Sequence, residues 1–159
     1  MLIEHLSLTK VTSAILAAAG APSVHADAVA EHLVEANLKG HDSHGIGMVP
    51  SYVKGILDQH VDPHGHAQII KDNGAIVNID GGTGLGRIVG IEAMEIGIER
   101  TKKHGLACVA LGNAAHLGRI GAFAEYCADR GLVSMHYVNV VGHDPMVVAF
   151  GGRDRRFIT

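Results

Sequence analysis

From residue 7 to about residue 60 the apolar positions recur every three or four residues, the spacing of one face of a helix. In "SLTKVTSAILAAAG", Val11, Ile15 and Leu16 keep that period, Ser7 or Thr9 suits the N-cap, and Gly20 suits the stop. "PSVHADAVAEHLVEANLKG" repeats the arrangement. Pro22 and Ser23 open it, Val29, Leu33, Ala36 and Leu38 recur at helical spacing, and Gly40 ends it. After a polar interruption, "VPSYVKGILDQ" predicts a short third helix.

The period changes near residue 67. "AQIIKD" and "AIVNID" flank Asn73-Gly74, a two-residue hairpin signal. "RIVGIEAMEIGIERTKKHG" then predicts a helix stopped by Gly105, "LACVAL" a buried strand, "GRIGAFAEYCADRG" a helix and "LVSMHYVNV" another strand. Alternating strands and helices argue for a largely parallel sheet. The expected fold is α/β: a helical subdomain over 1–66, followed over 67–159 by the first part of a mixed or parallel sheet domain. No further helix or strand closes that sheet after "VVAFGGRDRRFIT", so the chain is expected to be the N-terminal part of a longer protein.

Composition narrows the class. Apolar residues make up 47% and charged residues 18% of the 159, which suits a folded core. The formal charge of −3, with no basic stripe, disfavours nucleic acid. No apolar run nears the roughly 20 residues of a membrane span, and the start lacks the basic-then-apolar order of a signal peptide. A cytoplasmic location is expected, with Cys108 and Cys127 as buried free thiols.

Four stretches could carry chemistry. "GHDSHGIGM" at 40–48 places His41, Asp42, Ser43 and His44 directly after a helix. It reads as a polar turn in which Asp42 or Ser43 caps the next helix, or as a site in which His44 meets a cofactor or substrate. A metal site would need a third ligand, and none is near. His60, His64 and His66 cluster in a Pro/Gly loop with no cysteine or spaced carboxylate to complete a zinc set. "GGTGLGR" at 81–87 lacks the G-x-G-x-x-G spacing, because Arg87 and Val89 stand where the last glycine belongs; it is a turn or a glycine-rich lead-in to a helix. "GNAAHLGRIGAF" at 112–123 sets His116 between a strand and a helix, where open α/β sheets bind ligands, with Arg119 as a cation suited to phosphate or carboxylate. The three arginines of "GGRDRRF" at 151–157 suit a solvated loop or a phosphate.

Taken together, "GHDSHGIGMVPSYV", "HLGRIGAFAEY" and "FGGRDRRFIT" resemble the malate/L-lactate dehydrogenase family of nicotinamide-dependent oxidoreductases, in order and along the whole chain. The resemblance implies a non-Rossmann cofactor domain, NAD or NADP as cofactor, and hydride transfer between it and a 2-oxo or 2-hydroxy acid. It also implies homodimers of chains about twice as long. No metal site is expected. Ser43, His44 and Gly45 match the family's Ser-His-Gly motif, and His116 matches its histidine before a glycine-led helix. Gly118, Arg119 and Ile120 match cofactor-contacting positions, and Thr159 matches a later one, although Ile158 replaces a glycine. Many members carry an arginine where this chain has Met48, which leaves the substrate-carboxylate partner open.

The implied catalytic residues are His116, His44 and Ser43. Histidine suits a proton step near neutrality. His116 is the preferred acid/base, with His44 polarising the carbonyl or touching the nicotinamide, and Ser43 or Asp42 orienting an imidazole. The rival readings are an inactive fragment and a histidine-rich metal-binding module.

Overall fold

The structure, a computed structural model, describes residues 3–139. Helices α1 (His5–Ala18), α2 (Ser23–Leu38) and α3 (Val49–Leu57) come first. Strands β1 (Gln68–Asn73) and β2 (Ile76–Asp80), helix α4 (Gly86–His104), strand β3 (Cys108–Gly112) and helix α5 (Gly121–Ala128) follow. The sheet is mixed and ordered β1-β2-β3: β1 runs antiparallel to β2, and β2 parallel to β3. Thr159 and the arginines of 151–157 lie outside the described residues.

The first three helices form because each can bury one stripe. α2 is the central one, with Ala26, Val29, Ala30, His32, Leu33, Val34 and Ala36 buried. Leu16 of α1, Val49, Tyr52 and Ile56 of α3, and Leu85 at the head of α4 share one core with it. Leu85 thus carries the core of the first three helices to the head of α4. A second core, Val77, Ile79 and Ala93 with Val109 and Leu111 against them, joins β2 and β3 to α4.

Local chemistry differs from expectation in several places. α1 is capped by Glu4, whose carboxylate accepts from the Leu6 and Ser7 N–H groups at 2.9 and 2.6 Å, so Ser7 and Thr9 lie inside the helix. Its buried stripe is Thr12 and Leu16; Val11 and Ile15 face outward, 58% and 44% exposed. Leu38 of α2 is likewise exposed. The hairpin turn is Gly74-Ala75, since Asn73 pairs with Ile76 in the ladder. Gly74 takes φ +73°, and a left-handed glycine at the first turn position matches the right-handed twist of the strands.

β3 is not the buried strand expected: its residues alternate between exposed and half-buried, because among the described residues it has a neighbour on one edge and α4 on one face. Cys108 is therefore exposed, and only Cys127 is buried. Residues 132–139 of the anticipated last strand form no strand. An extended segment becomes a strand only by laddering with a neighbour, and here Val133, Met135 and Tyr137 stand 99%, 80% and 89% exposed.

Candidate active site

Two loops meet at the site. The first leaves α2 through a Schellman-type stop, with Gly40 at φ +73° and the His41 N–H bonded to the Ala36 carbonyl at 2.8 Å. It continues as two single 3-10 turns, Asp42–His44 and Ile46–Met48. Asn37 holds this loop from the helix: its amide NH2 donates to Asp42 at 2.6 Å, and its amide oxygen accepts from the Ile46 N–H at 2.8 Å. Gly45 is buried beneath it, and a Cβ there would sit 2.1 Å from the Asn37 oxygen. Glycine is required at this close approach.

The second loop follows the carboxyl end of β3 and carries His116 to the head of α5. It is tied to the glycine-rich segment: the Thr83 N–H donates to the Asn113 carbonyl at 2.8 Å, and the Ala115 N–H donates to the Gly84 carbonyl at 3.0 Å. Asp80 accepts from the Gly82 N–H and from the Asn113 amide, both at 2.8 Å. "GGTGLGR" is thus a packed turn in which Gly86 abuts the His116 backbone; a Cβ on it would lie 2.2 Å from the His116 carbonyl oxygen.

The loops bring His44 and His116 face to face. Their rings stack at 5.2 Å with 27° between planes, and His41 meets His44 edge-on at 4.7 Å. Ser43 Oγ lies 2.9 Å from His44 Nδ1. Tyr52, buried in α3, places its hydroxyl 2.9 Å from His116 Nδ1 and 3.2 Å from the His116 carbonyl oxygen. A carbonyl only accepts, so both contacts are satisfied when the phenol donates to the carbonyl and Nδ1–H donates to the phenol. Nε2 is then the ring atom left to exchange a proton. Burial pushes the Tyr52 phenol well above its ordinary range, so it stays protonated. Burial lowers the pKa of His116, and the neighbouring His44 lowers it further. His44 is lowered by burial and then by His41. Each ring disfavours a proton on the next.

A cavity of about 110 Å³ opens beside this pair, lined by Met48, Ser51, Tyr52, Val61, Leu85, Gly86, Ala115 and His116. That is well below the roughly 300–1,000 Å³ of sites enclosing a drug-sized ligand, and suits a small molecule or one end of a larger one. Among its lining residues His116 alone can carry a positive charge.

Of the residues singled out in the sequence, Ser43, His44 and His116 come together. Gly118 and Arg119 turn away from the cavity and are buried against α2 and α5. The Arg119 guanidinium makes a two-pronged pair with Glu125 at 2.9 and 2.7 Å, so its charge is already answered. Ile120 stands at the N-cap of α5 and also lies off the cavity. His60, His64 and His66 are exposed; His66 Nδ1 lies 2.5 Å from Glu92. Among the described residues no three histidine, cysteine or carboxylate side chains converge as metal ligands, and no helix is long and apolar enough to cross a membrane. Sequence reading missed Tyr52, Asn37 and His32. Tyr52 sits on an apolar helix stripe, and only the need of a buried phenol for a partner could have marked it.

Fold and site together define an α/β protein outside the Rossmann class, with a histidine pair and a small cavity at the carboxyl end of a strand. The chain belongs to the malate/L-lactate dehydrogenase family, which it matches over residues 3–159. It is 52% identical over 140 residues to hydroxycarboxylate dehydrogenase B of Escherichia coli O157:H7, covering 88% of this chain and 38% of that protein. It is 39% identical to an L-lactate dehydrogenase of Cupriavidus necator, covering 100% of this chain and 46% of that one. The solved structure of a malate dehydrogenase from Pyrococcus horikoshii superposes with a TM-score of 0.78 at 32% identity, over 82% of this chain and 38% of the other. The chain thus spans less than half the length of these relatives.

Proposed function

We propose that the chain forms the proton-transfer and substrate side of a nicotinamide-dependent 2-hydroxy acid dehydrogenase, with His116 as acid/base. The observation that carries this reading is the Tyr52–His116 contact beside the cavity, which engages Nδ1 and leaves Nε2 for the substrate oxygen. In the reductive direction, protonated His116 gives its Nε2 proton to the oxygen of a 2-oxo acid as the carbonyl carbon receives a hydride. In the oxidative direction, neutral His116 takes the hydroxyl proton as hydride leaves. A lowered pKa favours the neutral base in the second case. His44, stacked on His116, polarises the carbonyl or meets the nicotinamide face, and Ser43 fixes its ring.

A nicotinamide, when bound, would supply or accept the hydride. The described residues fit its reacting end: Leu85 and Met48 are apolar, and Gly86 has no side chain to intrude. They do not fit a whole dinucleotide, for which the cavity is too small. Of the cofactor-side residues expected from the sequence, His44 stacks on a residue of the cavity wall, Gly118, Arg119 and Ile120 lie off the cavity, and Thr159 lies outside the described residues. NAD or NADP as cofactor, a homodimer and a cytoplasmic location complete the reading and rest on the family. The substrate is a small 2-hydroxy acid and the 2-oxo acid it interconverts with, the class to which the malate, lactate and hydroxycarboxylate in the names of the relatives belong. Met48 on the cavity wall favours an apolar substituent.

The test is a fluorescence titration with NADH and NADPH, then turnover on a panel of 2-oxo acids, for the parent and for His116→Gln. Cofactor binding with turnover that His116→Gln lowers by about 10²-fold or more supports the reading. Unchanged turnover in His116→Gln overturns the assignment of the acid/base.

A further inference from the structure

α2 holds both loops of the site. Asn37 fixes the loop of His44. Five residues before Asn37, at position 32, the same helix buries a histidine that the proton chemistry does not use. His32 is 2% exposed. Its Nε2 lies 3.2 Å from the carbonyl oxygen of Leu117, the residue after His116. The contact needs Nε2–H as donor, so Nδ1 is unprotonated, and Nδ1 has no partner among the described residues.

The fit around this contact is tight. Gly118 turns the chain at φ +74°, and a Cβ there would lie 2.2 Å from His32 Nε2. Glu35 and Lys39 share the helix face of His32 at spacings of three and seven. Lys39 joins Glu35 at 2.7 Å and Glu125 of α5 at 2.6 Å, and Arg119 joins Glu125. These ion pairs dock α5 on α2 just beyond the contact. The groups facing His32 are Arg87 of α4, Arg119 of the loop and Glu35 of its own helix. Burial and the nearer arginine keep its imidazole neutral, with the pKa pushed down to about 4. A neutral ring donates one N–H to a carbonyl at every pH where the fold is intact, without adding charge near the histidine pair.

We propose that His32 is a positioning residue for His116, acting through the Leu117 carbonyl and the glycine turn at Gly118. His32 sets the height of the His116 ring over His44, while Tyr52 sets its rotation. The catalytic consequence rests on the dehydrogenase reading above; the placement of His116 does not.

The test compares His32→Gln, whose amide N–H can take the place of Nε2–H, with His32→Leu, which cannot donate. NMR titration of the labelled His116 ring is read in each, alongside kcat and KM for the best 2-oxo acid. With His32→Leu folded by circular dichroism, the His116 pKa is expected to move toward its ordinary value, and kcat to fall about ten- to a hundredfold with KM little changed. His32→Gln is expected to keep both near the parent. If His32→Leu does not fold, His32→Asn, too short to reach the carbonyl, carries the same comparison. A His116 titration unchanged in the non-donating variant overturns the proposal. If the parent shows no turnover but the titration moves as described, the positioning role stands and the dehydrogenase reading falls.

Discussion

The rings of His44 and His116 stack 5.2 Å apart although 71 positions separate them in the chain, and His116 is held from its other side by Tyr52. A proton on either ring raises the cost of a proton on the other. The neighbouring His44 thereby adds to burial in lowering the pKa of His116.

The coupling is measurable without turnover. Replacing His44 by Gln removes the second cause of the lowered His116 pKa and leaves the first, burial. The His116 pKa should rise yet stay below that of an exposed histidine. NMR titration of the labelled rings reads this directly; an unchanged or lower value would show that the stacked ring exerts no electrostatic effect.

Tyr52→Phe removes one hydroxyl and keeps the ring in its core. Two contacts with His116 are lost, the phenol's donation to its carbonyl and the phenol's acceptance from Nδ1–H. The expected stability loss is about 1–2 kcal/mol by urea denaturation. Turnover should drop by about tenfold or more, because Nδ1 loses the partner that fixes the tautomer. Wild-type turnover in this variant would remove Tyr52 from the site.

Met48 lines a cavity wall on which His116 alone can carry a positive charge. Met48→Arg should therefore favour 2-oxo acids with a second carboxylate, lowering KM for these about tenfold relative to apolar ones. A steady-state panel tests it; equal effects on both substrate classes would place Met48 away from the substrate.

His32 makes stability depend on acid. Its folded pKa is about 4, against an unfolded value near 6.5. The unfolded chain therefore binds the extra proton first, so stability is intact above about pH 6.5 and is lost as pH falls toward 4. The full loss is about 3 kcal/mol. His32→Gln should flatten the curve over that window relative to the parent in urea titrations at stepped pH. Parallel curves would show that the pKa of His32 does not differ between the folded and unfolded states.

Helix positions were legible from the chain because apolar spacing and glycine stops are local: Gly20, Gly40 and Gly105 take positive φ and end three helices where expected. Which stripe faces inward was less legible in α1. Val11 and Ile15 keep the apolar period, yet Thr12 and Leu16 are the buried pair, because α2 packs on that side. The last anticipated strand failed for a related reason. Alternation in "LVSMHYVNV" marks a segment able to pair, and pairing needs a neighbour that local sequence does not supply.

Likewise, the sequence by itself determined that Ser43, His44 and His116 are chemically able residues set beside helix ends, since histidine, serine and glycine in a polar break are visible in any chain. It also ruled out a Rossmann fingerprint, because glycine spacing is a local fact. Only the tertiary structure decided that His44 and His116 stack, that Arg119 pairs with Glu125, and that Tyr52, Asn37 and His32 hold the two loops. Each of those relationships joins separate elements through hydrogen bonds and burial, and their partners are fixed by how α2 packs between the loops.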